Sequence, residues 1–200
     1  MTAVKICGIT RREDAEAAAS FGADFVGFVL WPKSPRAITV DRVREIVTAL
    51  PATVTPVGVF VDPSAQDVMA AAEAGIRIAQ IHSDTPTFLR GVALPVVRAV
   101  HLDGDGIAPD LPDDLVLLDA YDPVSKGGTG KTIDWDRAAQ VARHRRIILA
   151  GGLTPINVHE AVTRVRPYGV DVASGVESSP GIKDHALVQA FISAAKTAAA

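Results

Sequence analysis

Eight short apolar runs rich in β-branched residues, a helical pattern behind most of them, and the absence of any break in composition predict one (β/α)8 barrel spanning residues 1–200. The runs are apolar almost throughout instead of alternating, as expected of parallel strands covered on both sides. A doubly wound open sheet is the structural alternative, but it would normally use fewer strands. The chain of 200 residues is short for this class, whose barrels typically need about 250. Some part must be abbreviated.

In order, the first two runs are Val4 to Cys7 and Phe25 to Leu30. Val43, Ile46, Val47 and Leu50 then repeat at i, i+3, i+4, i+7 and predict a helix with one apolar stripe. The third run, Pro56 to Val61, is followed by Pro63-Ser64 and Asp67, a variant of the capping box ahead of Val68 and Ala71. Ile76 to His82 and Pro95 to Val100 are the fourth and fifth. Asp103 to Asp114 is so rich in Asp, Gly and Pro that the fifth helix is expected to be abbreviated or replaced by a loop. Leu115 to Asp119 and Ile147 to Ala150 follow, and Thr154-Pro155 supplies an N-cap and first-turn proline before the stripe Val158, Ala161, Val162, Val165. The eighth run is Val170 to Ser174, with Val176 to Pro180 expected as a short extra helix and Leu187, Ala190, Phe191, Ala194 as the buried stripe of the last one. The alanine-rich end is expected to fray.

A net charge of -3 lacks the basic excess that nucleic acid or an anionic membrane would demand, so a small molecule is the expected partner. No run of about 18 apolar residues marks a membrane span, and a cytoplasmic protein is expected. One cysteine makes no internal disulfide, and the five histidines lack zinc-type spacing. No structural metal is indicated. A monomer is expected, with a homodimer as the alternative.

In such a barrel the reactive groups sit at the C-terminal ends of strands. Cys7 closes the first strand and Asp119 the sixth. A lone cysteine is most simply a small buried hydrophobe, but period two puts Cys7 and Lys5 together on the barrel interior while Val4 and Ile6 face the helices. Lys5 would then draw the thiol below its ordinary pKa. Asp119 is either a local cap or an acid at a partly dry mouth, where burial can keep a carboxyl protonated near neutral pH. Asp171, on the eighth strand, is expected to face inward and pair with Lys5 or touch a substrate hydroxyl.

Gly151 and Gly152 after strand seven, and Ser174 and Gly175 after strand eight, lie in the two loops that commonly hold phosphate in these barrels. The segment Ser125 to Thr132 fails as a nucleotide P-loop, because the required first glycine is Ser125 and Asp119 to Val124 separate it from its strand. Its glycines, Gly128 among them, suit a loop that folds over substrate, with Lys131 either solvated or balancing phosphate charge. Arg36 is either solvated or, stiffened by Pro32 and Pro35, set to grip a carboxylate.

Taken together, Lys5-Ile6-Cys7-Gly8-Ile9-Thr10, Gly27-Phe28-Val29-Leu30 through Ser34-Pro35-Arg36, Val57-Gly58-Val59-Phe60-Val61, Gln80-Ile81-His82, Leu117-Leu118-Asp119-Ala120, Gly127 to Thr132 with Asp134-Trp135, Leu149 to Leu153 and Gly169 to Asp184 resemble the phosphoribosylanthranilate isomerase family. The resemblance runs nearly end to end. It implies a cofactor-free Amadori rearrangement in tryptophan biosynthesis, with Cys7 as general base, Asp119 as general acid, Arg36 on the anthranilate carboxylate, and Gly151, Gly152, Ser174 and Gly175 around the phosphate. His82 is followed by Ser83 where the family commonly has glycine, so His82 stands between a substrate contact and an interior structural histidine. A related barrel enzyme of another reaction type, a bifunctional sugar-phosphate isomerase and a non-catalytic phosphate-binding module are the rival readings.

Overall fold

The computed structural model describes residues 2–83, 93–102, 115–119 and 133–198. Eight parallel strands close on themselves in sequence order: β1 (Ala3–Cys7), β2 (Phe25–Val29), β3 (Thr55–Val61), β4 (Ile78–His82), β5 (Val96–His101), β6 (Leu115–Asp119), β7 (Arg146–Leu149) and β8 (Gly169–Val172). Around them lie α1 (Arg12–Ser20), α2 (Val40–Val47), α3 (Ala65–Glu73), α4 (Trp135–Ala142), α5 (Val158–Val165) and α6 (His185–Thr197). The expected fifth helix and the glycine loop with Gly128 and Lys131 lie outside the described residues. No described helix is long and apolar enough to cross a membrane.

Each strand has two lives, because successive side chains point to opposite faces. Val4, Ile6, Val26, Phe28, Ala79, Ile81, Val116, Leu118, Ile147, Leu149, Val170 and Val172 pack outward into one core with the helix stripes. The inward positions of β5, β6 and β7 and the residue after it form a second apolar cluster of Val97, Ala99, Leu117, Ile148 and Ala150. Lys5, Gln80, His82, Asp119 and Asp171 are the buried polar residues on strands at inward positions.

Caps set the helix starts. Ser64 and Asp67 make a reciprocal capping box on α3, while Asp134 and Asp184 accept two backbone N–H groups each at the starts of α4 and α6. At α5 the chain turns from Thr154, whose carbonyl accepts from Val158 N, but regular helix begins only at Val158. Asn157 braces this turn, accepting from Thr154 N at 2.8 Å and donating to Gly152 O at 3.0 Å.

Three expectations need correction. Ile76 does not start β4, because its N–H bonds back to Ala71 O and closes α3. The buried stripe of α6 is Val188, Phe191, Ile192 and Ala195, whereas Leu187 is 38% exposed. Both registers satisfy an i, i+3, i+4, i+7 pattern in a segment this rich in apolar residues, and packing on β1 and α1 selects the second. Finally, Ser174 has left β8 for a single 3-10 turn, Ser174–Val176, and Val176 to Pro180 forms no helix. The chain runs instead into a two-stranded antiparallel ribbon, β9 (Glu177–Ser179) and β10 (Ile182–Lys183), turning through Pro180-Gly181.

Candidate active site

The side chain of Lys5 is fully enclosed, and its Nζ donates to Asp171 Oδ1 at 3.0 Å. The pairing follows from register: Lys5 and Asp171 are direct neighbours across the β1–β8 seam, both on the inward parity. Cys7, two residues along, neighbours Gly27 of β2. A Cβ at Gly27 would stand 2.9 Å from Cys7 Sγ and 3.1 Å from Lys5 Nζ, so glycine is what lets the thiol and the ammonium share this space.

Burial pushes the Cys7 thiol above its ordinary value, and the Asp171 charge adds to that push; Lys5 and Lys183 pull it down without cancelling it. The expected depression by Lys5 is therefore present as an influence but loses to desolvation. For Lys5 itself burial acts downward, yet Asp171, with Cys7, more than offsets it and the ammonium is held above its ordinary value.

Asp119, Asp171, Gly151, Gly152, Ser174 and Gly175 line one cavity of about 50 Å³. Gly151 and Gly152 both take positive φ, 84° and 63°, which a side chain would resist. Among the described residues none accepts from their N–H groups. A Cβ at Gly175 would lie 2.0 Å from Leu153 O, so glycine is also needed to bring the two loops together. Close packing and an anion cradle are compatible demands on the same residue.

Arg36 reaches the same end of β1. Its Cδ passes 2.7 Å from where a Cβ on Gly8 would stand, directly after Cys7. It is not solvated: its side chain is 14% exposed and its guanidinium forks onto Glu177, with Nε 2.9 Å from Oε1 and Nη2 2.7 Å from Oε2. Lys183 Nζ, also buried, donates to Glu177 Oε1 at 2.9 Å and to Ala173 O at 3.0 Å. Burial alone would push the Glu177 carboxyl up, but Arg36 and Lys183 hold it below its ordinary value. Burial lowers Lys183, with Glu177 opposing.

His82 lies apart from that cavity, on β4, with its Nε2 2.9 Å from the Gln80 amide nitrogen. The amide donates, so a neutral ring carries its proton on Nδ1. Glu177 and Lys183 were given no role by the sequence reading. The available signal was Pro180-Gly181, a turn dipeptide between two short polar arms that places Glu177 and Lys183 as an opposite-charge cross-strand pair. Among the described residues no group of three or more His, Cys, Asp or Glu could hold a metal ion.

A family model described as N-(5'-phosphoribosyl)anthranilate isomerase matches residues 4–194. The chain belongs to this family. N-(5'-phosphoribosyl)anthranilate isomerase of Pseudomonas fluorescens (strain Pf0-1) is 47% identical over 201 residues, covering 96% of this chain and 97% of that one. The solved phosphoribosyl anthranilate isomerase of Thermus thermophilus superposes with a TM-score of 0.87 at 39% identity, covering 98% and 99% of the two chains. Another isomerase of the family, solved in complex with reduced 1-(o-carboxyphenylamino)-1-deoxyribulose 5-phosphate, gives 0.83 at 37% identity, covering 98% and 100%.

Proposed function

We propose that this chain carries out the isomerase reaction of its family in the cytoplasm, as a step of tryptophan biosynthesis, with Asp119 as general acid and Cys7 as general base. The reaction converts N-(5-phosphoribosyl)anthranilate to 1-(2-carboxyphenylamino)-1-deoxyribulose 5-phosphate, an aldose-to-ketose shift within one molecule. Protonated Asp119 gives its proton to the furanose ring oxygen as the bond from that oxygen to C1 breaks. The substrate's own nitrogen takes up the positive charge as an iminium. Cys7, as thiolate, removes the proton on C2, and the electron pair moves into C1–C2 and neutralises the nitrogen. The enolamine then ketonises, gaining a proton at C1 and losing one from the C2 hydroxyl. The iminium is the electron sink, so apart from the C1–O cleavage that Asp119 assists, the steps are proton transfers.

The roles rest on one observation: Asp119 shares a cavity with the glycines of the β7 and β8 loops, while Asp171 in that same cavity is bonded to the lysine beside Cys7. An iminium formed next to the thiol adds a third cation to Lys5 and Lys183, which favours thiolate at the step that needs it. The compound held by the solved relative carries an aromatic carboxylate at one end and a 5-phosphate at the other. Arg36 suits the first, and Gly151, Gly152, Ser174 and Gly175 suit the second.

Freshly prepared N-(5-phosphoribosyl)anthranilate, with its fluorescence followed in time, tests the reading. Turnover is expected. Binding without turnover would select the non-catalytic phosphate-binding module instead.

A further inference from the structure

The fork of Glu177 onto Arg36 has a geometric consequence. A guanidinium carries five N–H donors in one plane. Glu177 takes the edge formed by Nε and Nη2, and the described residues accept no hydrogen bond from Nη1. The plane of the fork and its rotation about the Arg36 side chain are thereby fixed, and the terminal edge of Nη1 and Nη2 is the one left for a second carboxylate. Glu177 is itself held on three sides, by Arg36, by Gly181 N at 3.2 Å and by Lys183 Nζ. Its ribbon is fastened to the β1–α1 segment by the Thr10 hydroxyl on Gly181 O and by Lys183 N on the buried Asp14 carboxylate at 3.1 Å. Charge points the same way. An isolated Arg36–Glu177 pair would be neutral and would offer an incoming carboxylate little. Lys183 makes the triad net cationic while donating nothing to the terminal edge of Arg36.

We propose that Glu177 is a positioning residue that aims the Arg36 guanidinium at the substrate's aromatic carboxylate, with Lys183 keeping the assembly cationic, so that the ribbon after β8 sets selectivity for an acidic aromatic amine. The proposal rests on the reading of Arg36 as the carboxylate-binding group. It makes the segment after β8 part of the recognition of the end of the substrate opposite to the phosphate that the same segment is proposed to receive.

The test compares two substrates in each enzyme: N-(5-phosphoribosyl)anthranilate and N-(5-phosphoribosyl)aniline, which lacks only the carboxylate. Wild type is expected to prefer the first by kcat/KM, and Glu177→Gln is expected to reduce that preference by at least about tenfold, chiefly through KM, since a carboxylate gripped by a misaimed guanidinium loses its bidentate geometry. Because Glu177→Gln leaves Lys183 buried beside a neutral amide, Glu177→Gln/Lys183→Met, which removes both charges, is measured alongside and carries the same expectation. A preference that is unchanged, whether activity is kept or both substrates lose in proportion, overturns the proposal. So does a lower KM for the anthranilate substrate, which would mean Glu177 competes for Arg36 instead of aiming it. Failure of wild type to turn over N-(5-phosphoribosyl)anthranilate at all would instead sink the functional reading on which this rests.

Discussion

On the β1–β8 side the barrel interior holds an ammonium, a carboxylate and a thiol, while on the β5–β7 side, beneath Asp119 at its rim, it holds Val97, Ala99, Leu117, Ile148 and Ala150. The apolar wall offers the charges nothing to bond, so every charge on the other side must find its partner within that side. Lys5 finds Asp171, and Glu177 finds Arg36 and Lys183. The thiol has a high pKa for the same reason: a low-dielectric surround penalises the thiolate more than two lysines relieve it. The polar side thus carries chemistry at a cost to stability, whereas the apolar side carries stability and adds one reacting group at its rim, Asp119 at the end of β6. Removing one partner of a buried pair typically costs about 3–5 kcal/mol, while the net worth of keeping the pair is small.

The largest effect expected from this division is at the two reacting groups. Cys7→Ala and Asp119→Asn should each lower turnover by about 10²–10⁴-fold, the usual worth of a positioned acid or base, with an unchanged circular-dichroism spectrum. Turnover close to wild type in Asp119→Asn would remove the acid from the scheme. Ile148→Ala, within the apolar wall, should do the reverse. It is expected to cost about 2–5 kcal/mol in urea unfolding through the cavity it leaves, with turnover per folded molecule retained. If it abolished turnover at full folding, the two sides would not be separable.

Gly27→Ala falls between them and sharpens the boundary. The added methyl would sit 2.9 Å from Cys7 Sγ, so either the thiol or the Lys5 stem must move. Overpacking of this kind costs about 1–3 kcal/mol. Turnover should fall together with stability, because the group displaced is the proposed base. A variant that lost stability alone would place the working position of Cys7 away from Gly27.

How much of this could be read from residues alone divides along the same line. Period-two alternation puts Lys5 and Cys7 inward, Asp171 is expected to face them from the eighth strand, and the Lys5–Asp171 pair follows from register across neighbouring strands. The strand runs were legible to within two residues at either end because apolar β-branched stretches between helices have few other uses. The Val176–Pro180 segment was misread, since a glycine-bearing loop after β8 is equally compatible with a short helix and a ribbon, and Pro180-Gly181 decides for the ribbon. Arg36 was legible as a functional cation but not as a paired one. Its partner stands 141 residues away, and nothing local to either residue announces such a bond. The thiol's upward shift was illegible for a related reason: the nearby lysine is visible in sequence, whereas the depth of burial that outweighs it is a property of the closed barrel.

The smallest effect, and the finest test of the polar side, is the movement of that thiol's titration. Cys7 is the chain's single cysteine, so the pH dependence of its alkylation by iodoacetamide reports one group. Alkylation follows the thiolate, and its rate should rise with a midpoint above the ordinary thiol value, because burial disfavours the charged form. Asp171 raises the thiol and Lys5 lowers it. Asp171→Asn removes a negative charge and should bring the midpoint down; Lys5→Met removes a positive one and should send it up. The activity profile should follow. Productive enzyme needs a protonated acid and a deprotonated base, so the two limbs of kcat/KM fall at the two groups' pKa values whichever belongs to which. The alkaline limb is then the thiol's, moving down in Asp171→Asn and up in Lys5→Met. Alkylation midpoints that shift while the alkaline limb stays fixed would mean that Cys7 titrates as described but is not the base.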